Sequence, residues 1–117
     1  MNGNKVYEKN ISKAIIQNLN RMPMTKVWKR RAGPFEKGRA DITGSCFGVR
    51  IEIEVKIPGK TPTDLQQKWL DEMTEKLCIA GIARSVDDAI QIVLKYFNAF
   101  KNHIGSAEVI DYVKSKS

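Results

Sequence analysis

The sequence has little histidine and cysteine, the side chains that build many catalytic and metal sites. Its one histidine is His103, and its two cysteines, Cys46 and Cys78, lack the spacing of a zinc finger and the density of a disulfide scaffold. We therefore expect reduced cysteines and neither a histidine-based metal site nor a catalytic triad. The chain also lacks an apolar run of about 18 residues and a signal-like segment after Met1. These absences favour a cytoplasmic protein without a membrane span.

Positive charge is what the chain has in excess. Twenty Lys and Arg residues against 13 Asp and Glu residues give a formal net charge of +7, which favours a polyanion as the partner. The excess is concentrated in residues 26–60, where nine basic residues accompany four acidic ones. A chain of 117 residues with 42% hydrophobic content can bury one core, so we expect a single domain over residues 1–117.

Hydrophobic periodicity and turn residues predict an α/β fold with elements in the order αβββαβα. Helices are expected at residues 5–20, 61–80 and 85–100, and strands at residues 25–33, 40–45, 49–56 and 82–86. The second helix has marked start signals, with Thr61 as the N-cap, Pro62 at the first helical position and Asp64 in the first turn. Because the strand after this helix must rejoin the sheet by a crossover, we expect a mixed central sheet flanked by helices.

The third predicted strand carries charge at every second position. Alternate side chains of a strand share a face, which separates an apolar set from a charged set: Ile51, Ile53 and Val55 against Glu52, Glu54 and Lys56. If the preceding strand pairs with this one, Asp41 and Glu54 converge. Two adjacent carboxylates repel unless a proton or a cation separates them, and hard oxygen ligands select Mg²⁺ or a similar ion. With Lys56 beside them, the arrangement suits phosphodiester hydrolysis, although a solvated strand face would show the same alternation.

Two other positions bear on this site. Glu8 lies on or beside the apolar stripe of the first helix, where an unpaired charge is costly, so it needs a metal, a lysine or water as its partner. Gln66 and Gln67 occupy the first turns of the second helix, soon after the charged strand ends. One of these glutamines could orient a water or a phosphate, while the other faces solvent.

Four segments in this order resemble the VRR-NUC branch of the PD-(D/E)XK nuclease superfamily: GRADITG, IEIEVK, PGKTPTDLQQKWL and AGIARSVDDAI. The resemblance is to the compact form found in phage and other stand-alone members, and it covers residues 8–92. It implies a restriction-endonuclease-like core, DNA as the partner, Mg²⁺ or Mn²⁺ as the cofactor, and the host cytoplasm as the location if the protein is phage-encoded.

The resemblance also implies roles for individual residues. The metal ligands would be Asp41, Glu54, the Val55 carbonyl and Glu8, the acid of the first helix. Lys56 would be the catalytic lysine. The other catalytic residues would be Asp41, Glu54 and Glu8, together with Gln66 of the second helix.

Two features leave questions open within this resemblance. Ala40 precedes Asp41 where many members of the family have proline, a difference that should not disturb the ligands. Glu52 shares a face with Glu54, and it is either a further ligand or a bystander.

The charged strand, the excess of positive charge and the family resemblance together predict a metal-dependent DNA endonuclease. We expect it to select branched, flapped or four-way DNA by shape and to work as a homodimer. Phosphate contacts would come from a basic collar, defined as Lys26, Lys29, Arg30, Arg31, Lys37, Arg39 and Lys60. The candidate dimer interface is the third helix, with Val93, Tyr96, Phe97 and Phe100, together with the segment EVIDYV. One alternative is a nucleic-acid-binding module that has the nuclease fold and no cleavage activity. Another is a small RNA-binding domain, which would need exposed aromatics on a sheet.

Overall fold

The computed structural model describes the backbone of residues 2–31, 33 and 37–104, and the side chains of residues 7–31, 33 and 37–98. The helices are α1 (Asn2–Leu19), α2 (Asp64–Glu75) and α3 (Val86–Ile104), and the strands are β1 (Thr25–Lys29), β2 (Ile42–Cys46), β3 (Val49–Val55) and β4 (Ile79–Ala83). This is the predicted order αβββαβα.

The four strands form one mixed sheet in the order β1-β2-β3-β4. The first three are antiparallel neighbours, whereas β4 lies parallel to β3 after the crossover through α2. The mixed sheet predicted from the sequence is therefore confirmed.

The two faces of the sheet are covered differently. Ile51, Ile53 and Val55 of β3 join the main hydrophobic core, whose other members come from α1, α3 and the neighbouring strands. The opposite face of β3 carries Glu52 and Glu54, and α2 packs on that side against β3 and β4. Glu52 and Glu54 are as buried as Ile51, Ile53 and Val55, the apolar residues with which they alternate. The charged face is therefore part of the interior and not a solvated surface.

The predicted boundaries of α2 were wrong at both ends. The N-cap is Thr63 and not Thr61, because Thr63 and Gln66 form a reciprocal capping box that satisfies the first backbone N–H groups. The helix ends at Glu75, and Leu77 then adopts a left-handed conformation with φ of 63°. The chain consequently enters β4 at Ile79, earlier than the strand predicted at residues 82–86.

Gly44 lies inside β2, within the strand predicted at residues 40–45, and pairs with Val27 and Ile51. The turn is made by Phe47 and Gly48, both with positive φ, as a two-residue hairpin requires. At Gly44 φ is 153°, and an added Cβ would meet the Lys26 carbonyl oxygen at 2.1 Å. Only glycine lets β1 and β2 approach so closely.

We expect Gly44→Ala to lower the free energy of unfolding by about 3 kcal/mol or more, because a backbone atom must move to accommodate the methyl group. Gly48→Ala is the matched control, since Gly48 also has positive φ but open space around the added Cβ. It should cost about 1 kcal/mol through backbone strain alone. Urea unfolding of both variants measures the difference, and equal losses would show that the close approach at Gly44 does not matter.

Candidate active site

The pairing of β2 with β3 determines the position of Asp41. Ile42 pairs with Ile53, so one further step along the antiparallel register places Asp41 opposite Glu54. The Asp41 carboxylate accepts a hydrogen bond from the Val55 backbone N–H, with an Oδ2 to N distance of 3.0 Å. The predicted convergence of Asp41 and Glu54 therefore follows from the strand pairing.

Glu54 has an incomplete set of partners for a buried carboxylate. Only 2% of the residue is exposed, and Oε2 lies 3.3 Å from the Lys56 Nζ. Oε1 is buried and has no hydrogen-bond partner among the described residues. A buried carboxylate oxygen without a partner is costly, which makes this atom the clearest sign of an absent ligand.

The surroundings of Glu54 also disfavour its charge. Burial and then the negative charge of Asp41 raise the pKa of the Glu54 carboxyl from 4.5 to about 7, and Lys56 only partly opposes this rise. Without a cation, therefore, a large fraction of Glu54 is protonated near neutral pH. A bound divalent cation would replace the proton.

The raised pKa predicts how stability depends on pH in the absence of metal. Between pH 4.5 and about 7 the folded protein holds a proton on Glu54 that the unfolded chain has lost. The stabilisation from this group is therefore complete below pH 4.5 and is lost as the pH rises through about 7. The difference is up to about 3 kcal/mol.

Urea unfolding at a series of pH values, in the presence of a chelator, measures this effect. Other groups also titrate, so the profile is compared with that of Glu54→Gln, which lacks the titrating carboxyl. The wild type should lose stability relative to this variant as the pH rises from 4.5 to about 7. Parallel profiles for the two proteins would show that the Glu54 carboxyl is not strained by its surroundings.

A cavity of about 410 Å³ opens beside the carboxylates, between the end of β3, α1 and the first turn of α2. It is lined by Glu8, Lys9, Ser12, Lys29, Asp41, Glu54, Lys56 and Gln66. All five side chains predicted to be catalytic thus line the same cavity. Sequence reasoning missed Lys9 and Ser12, although Ser12 lies four residues after Glu8 and so shares its face of α1.

The two glutamines of α2 have different surroundings. Gln66 lines the cavity, and its Oε1 accepts from the Thr63 N–H at 2.9 Å. The capping bond fixes the side chain and leaves its Nε2 without a hydrogen bond to any described residue. Gln67 is exposed and donates to Asp71. Gln66 is therefore the glutamine that can contact a ligand in the cavity.

The donor set suits a hard divalent cation. Asp41 and Glu54 supply carboxylate oxygens, and one of these oxygens is buried and lacks a partner among the described residues. Mg²⁺ commonly binds through one or two carboxylates while keeping several waters. In the part of the chain that the structure describes, no group of three or more His, Cys, Asp or Glu side chains is placed to hold a metal. Glu8 lines the cavity without completing such a group.

Glu52 has a different environment from Glu54. Its two oxygens accept hydrogen bonds from four side chains: Arg30 at 2.5 Å, Thr43 at 2.6 Å, Arg50 at 3.0 Å and Trp69 at 3.1 Å. The residue is fully buried. A carboxylate with this many donors has little capacity left for a metal ion, so Glu52 is a structural group next to the site.

The basic collar divides into three parts. Lys29 lines the cavity, while Lys26, Arg31, Lys37 and Lys60 are exposed elsewhere on the surface. Arg39 lies over the Trp69 ring at 5.0 Å from its centre. Arg30 is mostly buried, and its charge is paired with Glu52 inside the protein instead of facing the surface.

The expected dimer interface needs correction. Val93 and Phe97 belong to the core of the chain itself, with 0% and 2% exposure, because α3 packs them against β4 and α1. They are unavailable for contact with a second copy. Tyr96 is partly buried against the same core, whereas the Phe100 side chain and the segment EVIDYV lie outside the described residues.

Within the described ranges, no helix has both the length and the apolar character needed to cross a membrane.

Comparison with known proteins bears on the fold. The sequence matches no protein-family model and no curated protein. Among solved structures, it is similar to one described as a VRR_NUC domain protein, with a TM-score of 0.59 and 16% identity over 78% of this chain and 88% of that chain. The predicted α/β fold is thereby confirmed: the chain has a fold similar to that of this VRR_NUC domain protein.

Proposed function

We propose that this protein is a divalent-metal-dependent DNA endonuclease that hydrolyses phosphodiester bonds. The observation that carries the proposal is the buried Oε1 of Glu54, which has no hydrogen-bond partner in the described part of the chain and lies next to Asp41 and Lys56 in a cavity lined by further lysines. A fold shared with a VRR_NUC domain protein supports the same function.

Asp41 and Glu54 would hold Mg²⁺ or Mn²⁺ through their carboxylates, and the Val55 carbonyl would be the third protein ligand. Glu8, which lines the same cavity, would act through a water ligand, since it forms no three-carboxylate group with the other two. The bound cation polarises the phosphate and lowers the pKa of the attacking water.

The remaining cavity residues would act on the substrate. The Lys56 Nζ is fixed beside Glu54, where it can orient the attacking water and offset the charge of the phosphate. Gln66 has an amide group free to donate to a phosphate oxygen or a water. Lys9 and Lys29 bring positive charge to the same cavity and would bind phosphates flanking the scissile bond.

A nucleic-acid-binding module without cleavage is the second candidate. Its support is Trp28, an aromatic on the sheet that sequence reasoning did not single out. Trp28 is 52% exposed on β1, and Lys26 lies two residues before it on the same face. An exposed aromatic beside a lysine can stack on a base and contact its phosphate whether or not the strand is cut.

Cleavage assays separate the two candidates. Linear, flapped and four-way DNA, and RNA of the same sequence, would be incubated with the protein in Mg²⁺, in Mn²⁺ and in chelator. We expect cutting of DNA that needs either metal. Retained DNA binding without cutting in any metal would favour the binding module.

Branched DNA is the proposed preferred substrate, because the exposed residues of the basic collar offer backbone contacts and selectivity would then depend on the shape of the duplex. Symmetrical cutting of a four-way junction needs two sites, which a homodimer supplies. We expect faster cutting of four-way than of linear DNA, and light scattering should show a dimer free or on DNA. Equal rates on the two substrates would contradict the preference, and a monomer in both states would contradict the assembly.

A further inference from the structure

Asp41 lies at a bend immediately before β2, where the pairing of β1 with β2 is ending. Arg30, the first residue after β1, holds this segment at two points. Its backbone N–H donates to the Asp41 carbonyl at 2.6 Å, which continues the pairing of Lys29 with Ile42 by one residue. Its side-chain Nε donates to the Ala40 carbonyl at 2.9 Å.

The same arginine is anchored at its other end. Its Nη2 donates to Glu52 Oε1 at 2.5 Å, and Glu52 is held in turn by Thr43, Arg50 and Trp69. Glu52 is on β3, two residues before Glu54 and on the same face of the strand. Arg30 therefore ties the segment carrying Asp41 to the strand that carries Glu54.

We infer that Arg30 and Glu52 are positioning residues that hold the Asp41 carboxylate against Glu54. The purpose of this positioning rests on the proposed function, whereas the contacts of Arg30 and Glu52 do not depend on it. Of the two carboxylates, Glu54 lies within β3, whereas Asp41 lies at a bend before β2. The Arg30–Glu52 pair restrains this bend from outside the cavity.

The geometry also explains the residue types. A guanidinium is a planar fork that can donate through Nε to one acceptor and through Nη2 to another, whereas a lysine ammonium at the end of a longer stem cannot place donors at both positions. Glu52 is buried, and four donors compensate its charge. Its carboxylate is therefore an acceptor held in place for the Arg30 guanidinium.

The test compares Arg30→Lys with Arg50→Lys. Both arginines donate to Glu52, but within the described residues only the Arg30 side chain of the two also donates to Ala40. Calorimetric titration with Mn²⁺ should show affinity weakened by about tenfold or more in Arg30→Lys, as is typical for residues that orient metal ligands. Arg50→Lys should keep the wild-type affinity. Glu52→Gln is the second variant for the case that Arg30→Lys does not fold.

A second measurement needs no metal. The Val55 amide donates to the Asp41 carboxylate, so its hydrogen exchange, followed by NMR, reports where that carboxylate lies. In Arg30→Lys the Val55 amide should exchange about tenfold faster relative to Ile51, with no such change in Arg50→Lys.

The outcomes distinguish the inference from the function. Wild-type Mn²⁺ affinity and Val55 protection retained in both Arg30→Lys and Glu52→Gln would overturn the inference and leave the proposed function standing. A wild type that binds no Mn²⁺, while Val55 still loses protection in Arg30→Lys, would contradict the proposed function and support the positioning of Asp41.

Discussion

Glu54→Gln is expected to cut DNA at least about 10³-fold more slowly than the wild type, since stabilisation of several kcal/mol by a bound metal is lost with its ligand. The fold should survive, because glutamine has nearly the same shape and removes a carboxylate whose charge is disfavoured in this position. Single-turnover cleavage in Mg²⁺ measures the rate, and thermal unfolding in chelator checks the fold.

Glu75→Gln is the matched control for this variant. It makes the same chemical change at an exposed position at the end of α2 furthest from Gln66 and the cavity. Its cleavage rate should equal that of the wild type. A folded Glu54→Gln protein that cuts within a few-fold of the wild-type rate would contradict the role of Glu54 as a metal ligand.

Lys56→Met is expected to slow cleavage by about 10²–10³-fold, the scale of one positioned group that transfers a proton or stabilises developing charge. Metal binding should survive, because neither carboxylate is removed and Lys56 contributes only a 3.3 Å contact to Glu54. Single-turnover rates at saturating metal, together with Mn²⁺ titration, separate the two effects.

The control for Lys56 is Lys76→Met, which removes one exposed positive charge at the other end of α2. It distinguishes loss of a particular ammonium group from loss of net charge. If Lys56→Met lost Mn²⁺ affinity as severely as Asp41→Asn, the lysine would be part of the metal site and its assigned role would be wrong.

The order of elements could be predicted because periodicity is a local property of the chain. The stripe of α1 and the alternation of β3 are visible in the sequence, and the crossover rule then requires a mixed sheet. The ends of α2 could not be predicted from Thr61 and Pro62. Thr63 has its own partner three residues later in Gln66, and Leu77 ends the helix in a conformation that glycine usually adopts.

The site was predictable to the extent that it depends on strand alternation. Asp41, Glu54 and Lys56 come together because β2 and β3 pair, which the sequence indicates. Alternation tells which residues share a face but does not tell what covers that face. The burial of Glu52 under Trp69 depends on the packing of α2, a contact between residues 17 positions apart.

The role of Arg30 was missed for the same physical reason. From the sequence it is one of several basic residues after β1, and its charge favours contact with DNA. Its pairing with Glu52 spans 22 positions and is fixed by the register of three strands.

Anomalous diffraction from crystals grown with Mn²⁺ would show whether Asp41 and Glu54 hold a divalent cation, because it locates the metal without reference to activity. A Mn²⁺ peak is expected in contact with both the Asp41 carboxylate and the Glu54 Oε1, the buried oxygen that has no partner among the described residues. The peak should be absent from crystals of Glu54→Gln grown in the same way. A wild-type crystal with millimolar Mn²⁺ and no peak in this cavity, or with peaks only elsewhere, would contradict the assignment of Asp41 and Glu54 as metal ligands.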